Sequence, residues 1–461
     1  MLVREIETKL DSFDLYTVFK DRENSFFLDS GMDPDKLGQY SFIGFDPIAV
    51  IKSKNEKIEI SRENEVKRFD GDPFEALREL LKEFEMDYKS DLPFIGGAVG
   101  YLGYDLCHFT EELPRTAVDD IDIPDMYFGI YDGVIAIDHR GGEDKVYIAA
   151  LGVKEDEDKR FTDIYSAIRE AEDKGIKAEV KFREEPADLE FKSNFSTREE
   201  YEATIQKVRD YIRTGDIYQA NLTQRFECET DEDPYNIFGK LRTINPAPFA
   251  SYLDLGDSQI VSSSPERFIK INDGIIETRP IKGTINRGET PEEDEKNRET
   301  LINSKKDQAE LLMIVDLERN DLGRIAKTGT VEVTELFHLE EYATVYHLVS
   351  TVKAEVDKEN DIVDCLKATF PGGSITGAPK IRAMEVIDEL EPTQRAVYTG
   401  SIGYIGFNGE LDLNIVIRTM ICKDEKVYFQ AGGGITWDSD PSMEYDETIH
   451  KLRALMNALN R

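Results

Sequence analysis

Short apolar runs, each closed by Gly, Asp or Pro, dominate the first third of the chain and constrain its fold more than any other feature. Runs of this length and composition are typical of β-strands. The clearest examples lie at 25–30, 40–53 and 126–138. Large apolar side chains recur at helical spacing over 73–84, which predicts a helix there. We therefore expect a strand-rich first third with few helices.

The chain changes character near residue 190. Residues 183–192 are mostly polar, so we place a boundary here between regions 1–190 and 191–461. Beyond it, Ser196 and Glu199 form a capping box that predicts a helix ending at Gly215. Strands and helices then alternate. Further helices are predicted at 292–303, 306–318, 379–389 and 444–459, and strands at 247–253, 259–263, 401–407, 413–421 and 425–432.

The charge balance excludes several functions. The chain has 94 acidic and 57 basic side chains, a formal net charge of -37. Binding to nucleic acid or to anionic membranes needs clustered Lys and Arg, so this balance argues against both. No uncharged apolar stretch reaches the ~20 residues of a membrane helix, and the charged first residues do not resemble a signal peptide. The four cysteines form no CxxC pair, which argues against zinc and disulfides, so we expect a reduced, cytoplasmic protein.

Two of four unusual segments concentrate glycine and polar residues where an ordinary core would be apolar. In TRPIKGT at 278–284, Lys282 stands between Ile and Gly. A lysine in this position is either solvated or, if it is held among apolar neighbours, a nucleophile or base. The segment 370–379 is rich in glycine and precedes a predicted helix, so its backbone amides suit an anion.

The other two segments each carry a pair of acidic residues one helical turn apart. Asp307 and Glu310 form the first pair, and Glu444 and Glu447 follow the AGGGI run at 431–435. Each pair is either a solvated helix face that complements the helix dipole or half of a site for a hard divalent cation. Mg²⁺ prefers a few carboxylates, several waters and the oxygens of its substrate. Two converging pairs would meet that preference.

Further motifs lie along the chain: LDSG (28–31), YSFIGFDP (40–47), GGAVGYLGYD (96–105), GDIYQANLTQRF (215–226), SSPERF (263–268), TRPIKGT, DLERNDLGR (316–324), HLVST (347–351), FPGGSITGAPKIRAMEVIDELEP (370–392), GSIGYIGFNGELDLNIVIRT (400–419) and AGGGITWDSDPSMEYDET (431–448). By these motifs the chain from about residue 195 onward resembles the chorismate-utilising enzymes, a family that includes the anthranilate, aminodeoxychorismate, isochorismate and salicylate synthases. The first region is similar to the partner domain of the family's amination branch. The resemblance implies an α/β (α+β) fold, with a large two-sheet β-sandwich core and surrounding helices.

The resemblance also implies roles for individual residues. Lys282 would attack ring C2 of chorismate, Glu266 would protonate the departing hydroxyl group, and His347 would assist proton transfer. Such chemistry needs an acid whose pKa is raised in a closed site. The remaining roles are those of Mg²⁺ ligands, Glu310, Glu444 and Glu447, and of substrate contacts, Arg418, Tyr404, Thr376, Gly432, Gly433 and Gly434.

Two positions separate the branches of the family. Isochorismate and salicylate synthases have a lysine base where this chain has Gln219, whose amide cannot accept a proton, so water addition is disfavoured. Lys282 resembles the lysine that aminodeoxychorismate synthases have at this position, where anthranilate synthases usually have Ala. We therefore expect amination of chorismate at C4 to 4-amino-4-deoxychorismate, a precursor of 4-aminobenzoate and folate. The alternatives are an anthranilate synthase component I and a subunit that has lost catalysis.

Ammonia is expected to come from a partner. A glutamine amidotransferase needs a Cys nucleophile on a tight turn, and none of the four cysteines has that context. A separate glutaminase subunit is therefore predicted to dock on this chain. In addition, Leu28, Asp29, Ser30, Tyr40 and Ser41 resemble the pocket in which anthranilate synthases bind tryptophan, with Asp29 where that pocket commonly has Glu.

Overall fold

Two large sheets form the core of the protein in a computed structural model, which describes residues 1–33, 36–342 and 345–461. Each sheet has twelve described strands, and the strand pairings within both sheets are antiparallel. Apolar side chains from both sheets share one buried cluster, which includes Phe42 and Ile260 of the first sheet and Ile51 and Tyr101 of the second. This arrangement confirms the predicted two-sheet core with surrounding helices.

The strands are short, as their sequence pattern predicts. In chain order they are β1 Leu2–Ile6, β2 Phe26–Asp29, β3 Tyr40–Gly44, β4 Ala49–Lys54, β5 Lys57–Arg62, β6 Glu65–Asp70, β7 Gly97–Leu102, β8 Met126–Tyr131, β9 Gly133–Asp138, β10 Lys145–Ala150, β11 Lys192–Ser193, β12 Gln219–Glu229, β13 Phe249–Asp254, β14 Gln259–Ser264, β15 Arg267–Asn272, β16 Ile275–Arg279, β17 Ile281–Asn286, β18 Glu332–Glu341, β19 Val345–Glu355, β20 Gly377–Ala378, β21 Ser401–Gly406, β22 Leu411–Asn414, β23 Thr419–Lys423 and β24 Lys426–Ile435.

The helices lie between these strands in the chain. They are α1 Ser12–Phe19, α2 Pro73–Glu83, α3 Glu157–Lys174, α4 Arg198–Thr214, α5 Pro234–Ile244, α6 Pro291–Ile302, α7 Lys305–Gly323, α8 Ile362–Thr369, α9 Lys380–Leu390 and α10 Pro441–Asn460, with short 3₁₀ turns at Tyr104–Phe109 and Gly373–Ile375. Among the described helices, none is both long enough and apolar enough to span a membrane.

Both regions of the chain contribute to both sheets. The first sheet runs β1-β10-β9-β3-β2-β13-β14-β23-β24-β12-β11, with β20 beside β12. The second runs β17-β19-β16-β15-β22-β21-β7-β8-β4-β5-β6, with β18 beside β19. The amino-terminal strands therefore join the later ones directly, through β2 on β13 and β7 on β21. The division of the chain at residue 190 stays a prediction. In the structure, residues from both sides of that boundary build one core.

Local signals account for the helix limits. Asp72 caps α2 by accepting the Phe74 N–H, and Pro73 occupies the first turn, so the predicted helix over 73–84 is confirmed. The predicted capping box of α4 is wrong by one residue. Thr197, not Ser196, is the N-cap and accepts the Glu200 N–H, while the Glu200 carboxylate accepts the Ser196 N–H. The next acidic residue along the helix thus replaces Glu199 in this role.

The predicted strand 413–421 is also wrong, and the error matters for function. The chain forms β22 in the second sheet, leaves it, and enters the first sheet as β23. The connection, 415–418, therefore crosses from one sheet to the other. Arg418 at its end has a φ of +53°, in the left-handed region that is uncommon for a residue with a side chain. The crossing places this arginine between the sheets instead of on a sheet face.

Candidate active site

A bulge in β17 directs Lys282 toward the site. On the partner strand β19, Ile281 pairs with Val349 and Thr284 pairs with His347, so β17 has one residue more than β19 over this stretch. The extra residue is accommodated because Gly283 adopts a φ of +80°, which glycine reaches without strain. Bulges bend a strand locally and change the direction of a side chain. The IKG sequence at 281–283 is therefore the local cause of the position of Lys282.

Lys282 is half-buried and lies among charged groups from three elements. Burial lowers the pKa of its amine below the usual value, and the nearby Lys451 ammonium group on α10 lowers it further. The carboxylates of Glu310, Glu266 and Glu447 act in the opposite direction but do not outweigh burial. A lysine with a lowered pKa has a larger neutral fraction, which is the nucleophilic form. The structure thus favours the reactive interpretation of Lys282 over the solvated one.

Glu266 follows β14 and is only 6% exposed. Burial raises the pKa of its carboxyl group, although hydrogen bonds from Ser374 and the backbone of Ile281 and the charge of Lys282 partly offset this. Among the described residues, its Oε1 has no hydrogen-bond partner. A raised pKa and a free oxygen suit a carboxyl group that delivers a proton to a substrate.

Three carboxylates predicted to hold Mg²⁺ face the same cleft. Glu310 on α7 and Glu444 on α10 both interact electrostatically with Glu447, and burial raises the pKa of both. Burial would also raise the pKa of Glu447, but its ion pair with Lys451, at 2.7 Å, outweighs this and lowers it. In the described ranges, no three His, Cys, Asp or Glu side chains are gathered closely enough to hold a metal ion. The donor type fits Mg²⁺, and Lys451 already pairs with one of the two Glu447 carboxylate oxygens.

Bare backbone lines one side of the cleft at the end of β24. A Cβ atom on Gly433 would lie 3.1 Å from Glu444 Oε2, and one on Gly434 would lie 2.5 Å from Gln219 Nε2. Side chains at these positions would therefore displace site residues. Lys451 Nζ donates a hydrogen bond to the Gly432 carbonyl oxygen at 2.8 Å, which ties α10 to this strand. The glycine run keeps this wall open enough for a substrate to approach the backbone.

Arg418 is the cation that the sheet crossing places in the cleft. Burial lowers the pKa of its guanidinium group, and the Tyr398 side chain partly offsets this. In the described part of the chain, no carboxylate pairs with it. Burial also lowers the pKa of nearby His347 to about 4, so this imidazole is neutral at pH 7, and its Nδ1 lies 2.8 Å from Thr284 Oγ1. A half-buried, unpaired arginine is suited to bind an anionic group.

Two predicted substrate contacts are not placed as expected. Tyr404 lies in a different cavity, and its ring stacks on Phe94 with a distance of 4.5 Å between ring centroids. Tyr398 lies there instead: its hydroxyl group hydrogen-bonds to the Gly432 backbone. The hydroxyl group of Thr376 is fully buried and donates to the carbonyl oxygens of residues 372 and 373, so it stabilises a turn.

The amino-terminal pocket exists as a cavity of about 550 Å³. Leu28, Asp29, Ser30 and Tyr40 line it, and Ser41 donates its hydroxyl group toward Asp29 from behind. The Asp29 carboxylate is 1% exposed and accepts a hydrogen bond from Arg242 at 2.5 Å. The charge that would bind the ammonium group of an amino acid is therefore already paired, and binding of tryptophan stays a prediction.

The sequence analysis missed Lys451 and Tyr398. Lys451 follows Glu447 by four residues on α10, and a Glu–Lys pair at this spacing is a recognisable signal. Tyr398 lies outside the described strands and helices, so no periodicity points to it. Its position depends on the contact between 398 and β24, which only the folded chain creates.

A lysine, a buried acid and an unpaired arginine lie between the two sheets, an arrangement that suits a small anionic substrate. The chain belongs to the chorismate binding enzymes, whose family profile matches residues 23–457. Relatives at similar identity have two different names. Anthranilate synthase component 1 of Acetivibrio thermocellus is 40% identical, covering 96% of this chain and 92% of the relative. Aminodeoxychorismate synthase component 1 of Escherichia coli is 39% identical, covering 94% and 93%.

Solved structures support the same assignment. Anthranilate synthase component I from Streptococcus pneumoniae superposes with a TM-score of 0.80 at 36% identity, covering 91% of this chain and 92% of the other. The isochorismate synthase MenF from Escherichia coli has a TM-score of 0.70 at 16% identity, covering 100% and 94%, which shows a shared fold. The chain is thus a chorismate-utilising enzyme.

Proposed function

We propose that this enzyme aminates chorismate at C4 with ammonia and forms 4-amino-4-deoxychorismate. The observation that carries the proposal is the lysine at 282, which a bulge directs into the cleft beside Glu266 and whose pKa burial lowers. The lysine resembles that of the aminodeoxychorismate synthases, whereas anthranilate synthases usually have Ala at this position.

The chemistry runs in two balanced steps. In the first, the neutral Lys282 amine bonds to ring C2, the double bonds shift, and the C4–O bond breaks. The leaving hydroxide takes the proton of Glu266 and departs as water. In the second, ammonia bonds to C4, the double bonds shift back, and the C2–N bond breaks to free the Lys282 amine. The extra proton of the incoming ammonia returns to the Glu266 carboxylate, so the enzyme is restored.

The other cleft residues would bind and orient the substrate. Arg418 supplies an unpaired cation for a substrate carboxylate, and the Tyr398 hydroxyl group holds the adjacent backbone at Gly432. His347 is neutral at pH 7, so one ring nitrogen would donate a hydrogen bond and the other would accept a hydrogen bond or a proton. Glu310, Glu444 and Glu447 would hold Mg²⁺, which when bound would neutralise the ring carboxylate and draw charge from the conjugated system.

Ammonia would come from a separate glutamine amidotransferase subunit. The relatives that support this are named as component 1 of their synthases, which implies a second component. The four cysteines of this chain are buried, and burial raises the pKa of the thiols of Cys107, Cys228, Cys365 and Cys422. Such thiols are poor nucleophiles. The purified chain should accordingly turn over with ammonium salts and fail with glutamine.

Anthranilate formation is the second candidate function, because relatives with that name are as similar to this chain as those named for aminodeoxychorismate. The two are separated by incubating the enzyme with chorismate, an ammonium salt and Mg²⁺ and identifying the products by chromatography and mass spectrometry. We expect a non-aromatic amine that retains the enolpyruvyl group. Fluorescent anthranilate with an equal amount of pyruvate would establish the alternative and refute the proposal.

A further inference from the structure

A second buried carboxyl group lies behind Glu266. Glu318 on α7 is 3% exposed, and its Oε1 accepts the Gly373 N–H at 3.1 Å. The turn packs closely on the helix at this point: a Cβ atom on Gly373 would lie 3.1 Å from Glu318 Oε1 and 3.2 Å from Leu317 Cβ. Glu318 therefore holds the turn in place by a buried hydrogen bond.

The same turn contacts Glu266 from its other side. Ser374, the next residue, hydrogen-bonds through its side chain to the Glu266 carboxyl group. The turn thus lies between two buried carboxyl groups. Each of them has one oxygen, Glu266 Oε1 and Glu318 Oε2, that is buried and unpartnered among the described residues. Groups of this kind are rare in folded proteins unless they have a function.

The surroundings of Glu318 keep its carboxyl group protonated while it accepts the hydrogen bond from the Gly373 N–H. The nearest cation, Lys380 on α9, is already used: its Nζ donates to Asp321 Oδ2 at 2.8 Å and to the Thr369 carbonyl oxygen at 2.9 Å. Burial raises the pKa of Glu318 to about 8, and the neighbouring Asp321 and Glu266 carboxylates add to this shift against the opposing charge of Lys380. Glu318 is therefore protonated at pH 7 and does not need a counter-ion.

We propose that Glu318 is a positioning residue for Glu266, which it serves by fixing the Gly373–Ser374 turn so that Ser374 keeps its hydrogen bond to the acid. The inference rests on the proposed function only in that Glu266 acts as the acid. None of the residue roles described above includes Glu318, and it does not touch the cleft. Its influence on catalysis passes through one backbone N–H and one hydroxyl group.

The predicted effect is a shift of the pH profile. The Ser374 hydrogen bond favours the ionised form of Glu266, so its loss raises the pKa of that carboxyl group. Activity requires protonated Glu266 and falls as pH rises through its pKa. Loss of the bond should therefore move the basic limb of the kcat profile upward by about one pH unit. It should lower kcat while the KM for chorismate changes little, because the substrate contacts remain.

The test compares four single variants and one double variant by the rate of chorismate consumption from pH 6 to 10. Glu318→Met removes the acceptor, Ser374→Ala removes the hydroxyl group, and both should shift the limb equally. The double variant should show the same shift as either single one, because both act on one bond. Glu318→Gln keeps an acceptor oxygen and should restore the wild-type limb. Asp316→Asn, an exposed change on the same helix, is the matched control.

The outcomes separate this inference from the proposed function. The inference is overturned if Ser374→Ala moves the basic limb and Glu318→Met does not. It is also overturned if the two shifts add in the double variant. A limb that neither variant moves also overturns the inference, because the Ser374 hydrogen bond then has no effect on the acid. The assay follows chorismate loss whichever product forms, so the proposed function is tested separately, by identifying the product. If Glu318→Met does not fold, Gly373→Ala pushes the same turn away from Glu318 and must give the same shift; an unshifted limb there also overturns the inference.

Discussion

Replacement of Lys282 by Ala tests the central chemical claim. An ordinary lysine, with a pKa near ~10.4, is neutral in about one molecule in a thousand at pH 7.4, and each unit of lowering raises that fraction about tenfold. Burial and the Lys451 charge lower the pKa of Lys282, which enlarges the neutral fraction that the proposed attack requires. A neutral amine adds little to ground-state attraction for an anionic substrate. The loss in Lys282→Ala should therefore fall on kcat and not on KM.

We expect kcat to fall at least ~1000-fold, equal to ~4 kcal/mol of transition-state stabilisation, while KM stays within about threefold. The groups proposed to bind the substrate, Arg418 and the β24 backbone, are untouched by the change. The matched control is Lys306→Ala. Lys306 lies 3.9 Å from Glu310 and is 68% exposed, so its removal takes the same charge from the same carboxylate without removing an amine from the cleft. This control should stay within about twofold of wild type.

The assay has a kinetic arm and a covalent arm. Initial rates with chorismate, ammonium and Mg²⁺ give kcat and KM for both variants. Wild-type enzyme incubated with chorismate but no ammonia, then digested, should yield a peptide containing Lys282 with added mass, and Lys282→Ala should yield none. The nucleophile role would be refuted if the wild-type peptide stays unmodified and Lys282→Ala turns over at the wild-type rate. Lys282 would then have only an electrostatic role.

Five further changes test other parts of the structure. Chelation of divalent cations should abolish turnover, and Glu447→Gln should raise the Mg²⁺ concentration for half-maximal rate at least ~10-fold, measured by titration of the chelated enzyme. Tyr398→Phe should raise the KM for chorismate about fivefold, since a hydrogen bond contributes ~1 kcal/mol. Arg395→Met should lower the free energy of urea unfolding by ~3–5 kcal/mol, because it leaves the fully buried Glu391 carboxylate, 2.7 Å from Arg395, without its partner. Glu318→Gln should raise the free energy of unfolding relative to wild type, by up to ~1.4 kcal/mol for each pH unit between pH 5 and 8. The reason is that wild-type Glu318, whose pKa is about 8 in the native state, keeps its proton over a pH range in which the unfolded chain has lost it.

Elements whose signals are local could be predicted from the sequence. Helix α2 follows from apolar spacing, a capping aspartate and a proline within twelve residues, and it forms where expected. Several elements of the second region, such as α6 and α9, were also recognisable within a few residues from patterns confined to each segment, whereas α5, α8 and β12 were not predicted. The misplaced cap of α4 shows the limit of this reasoning, because Ser196 and Thr197 are both good caps and only the folded turn selects one.

The motifs of the sequence by themselves determined the family and the two-sheet fold, and they pointed to Lys282, Glu266 and Arg418. The tertiary structure decided how they meet. The break between β22 and β23 depends on two strands finding partners in different sheets, and the placement of Tyr398 beside Arg418, with Tyr404 elsewhere, depends on that crossing. Pairing across a sheet joins residues far apart in the chain, so its energy cannot be read from neighbours in sequence.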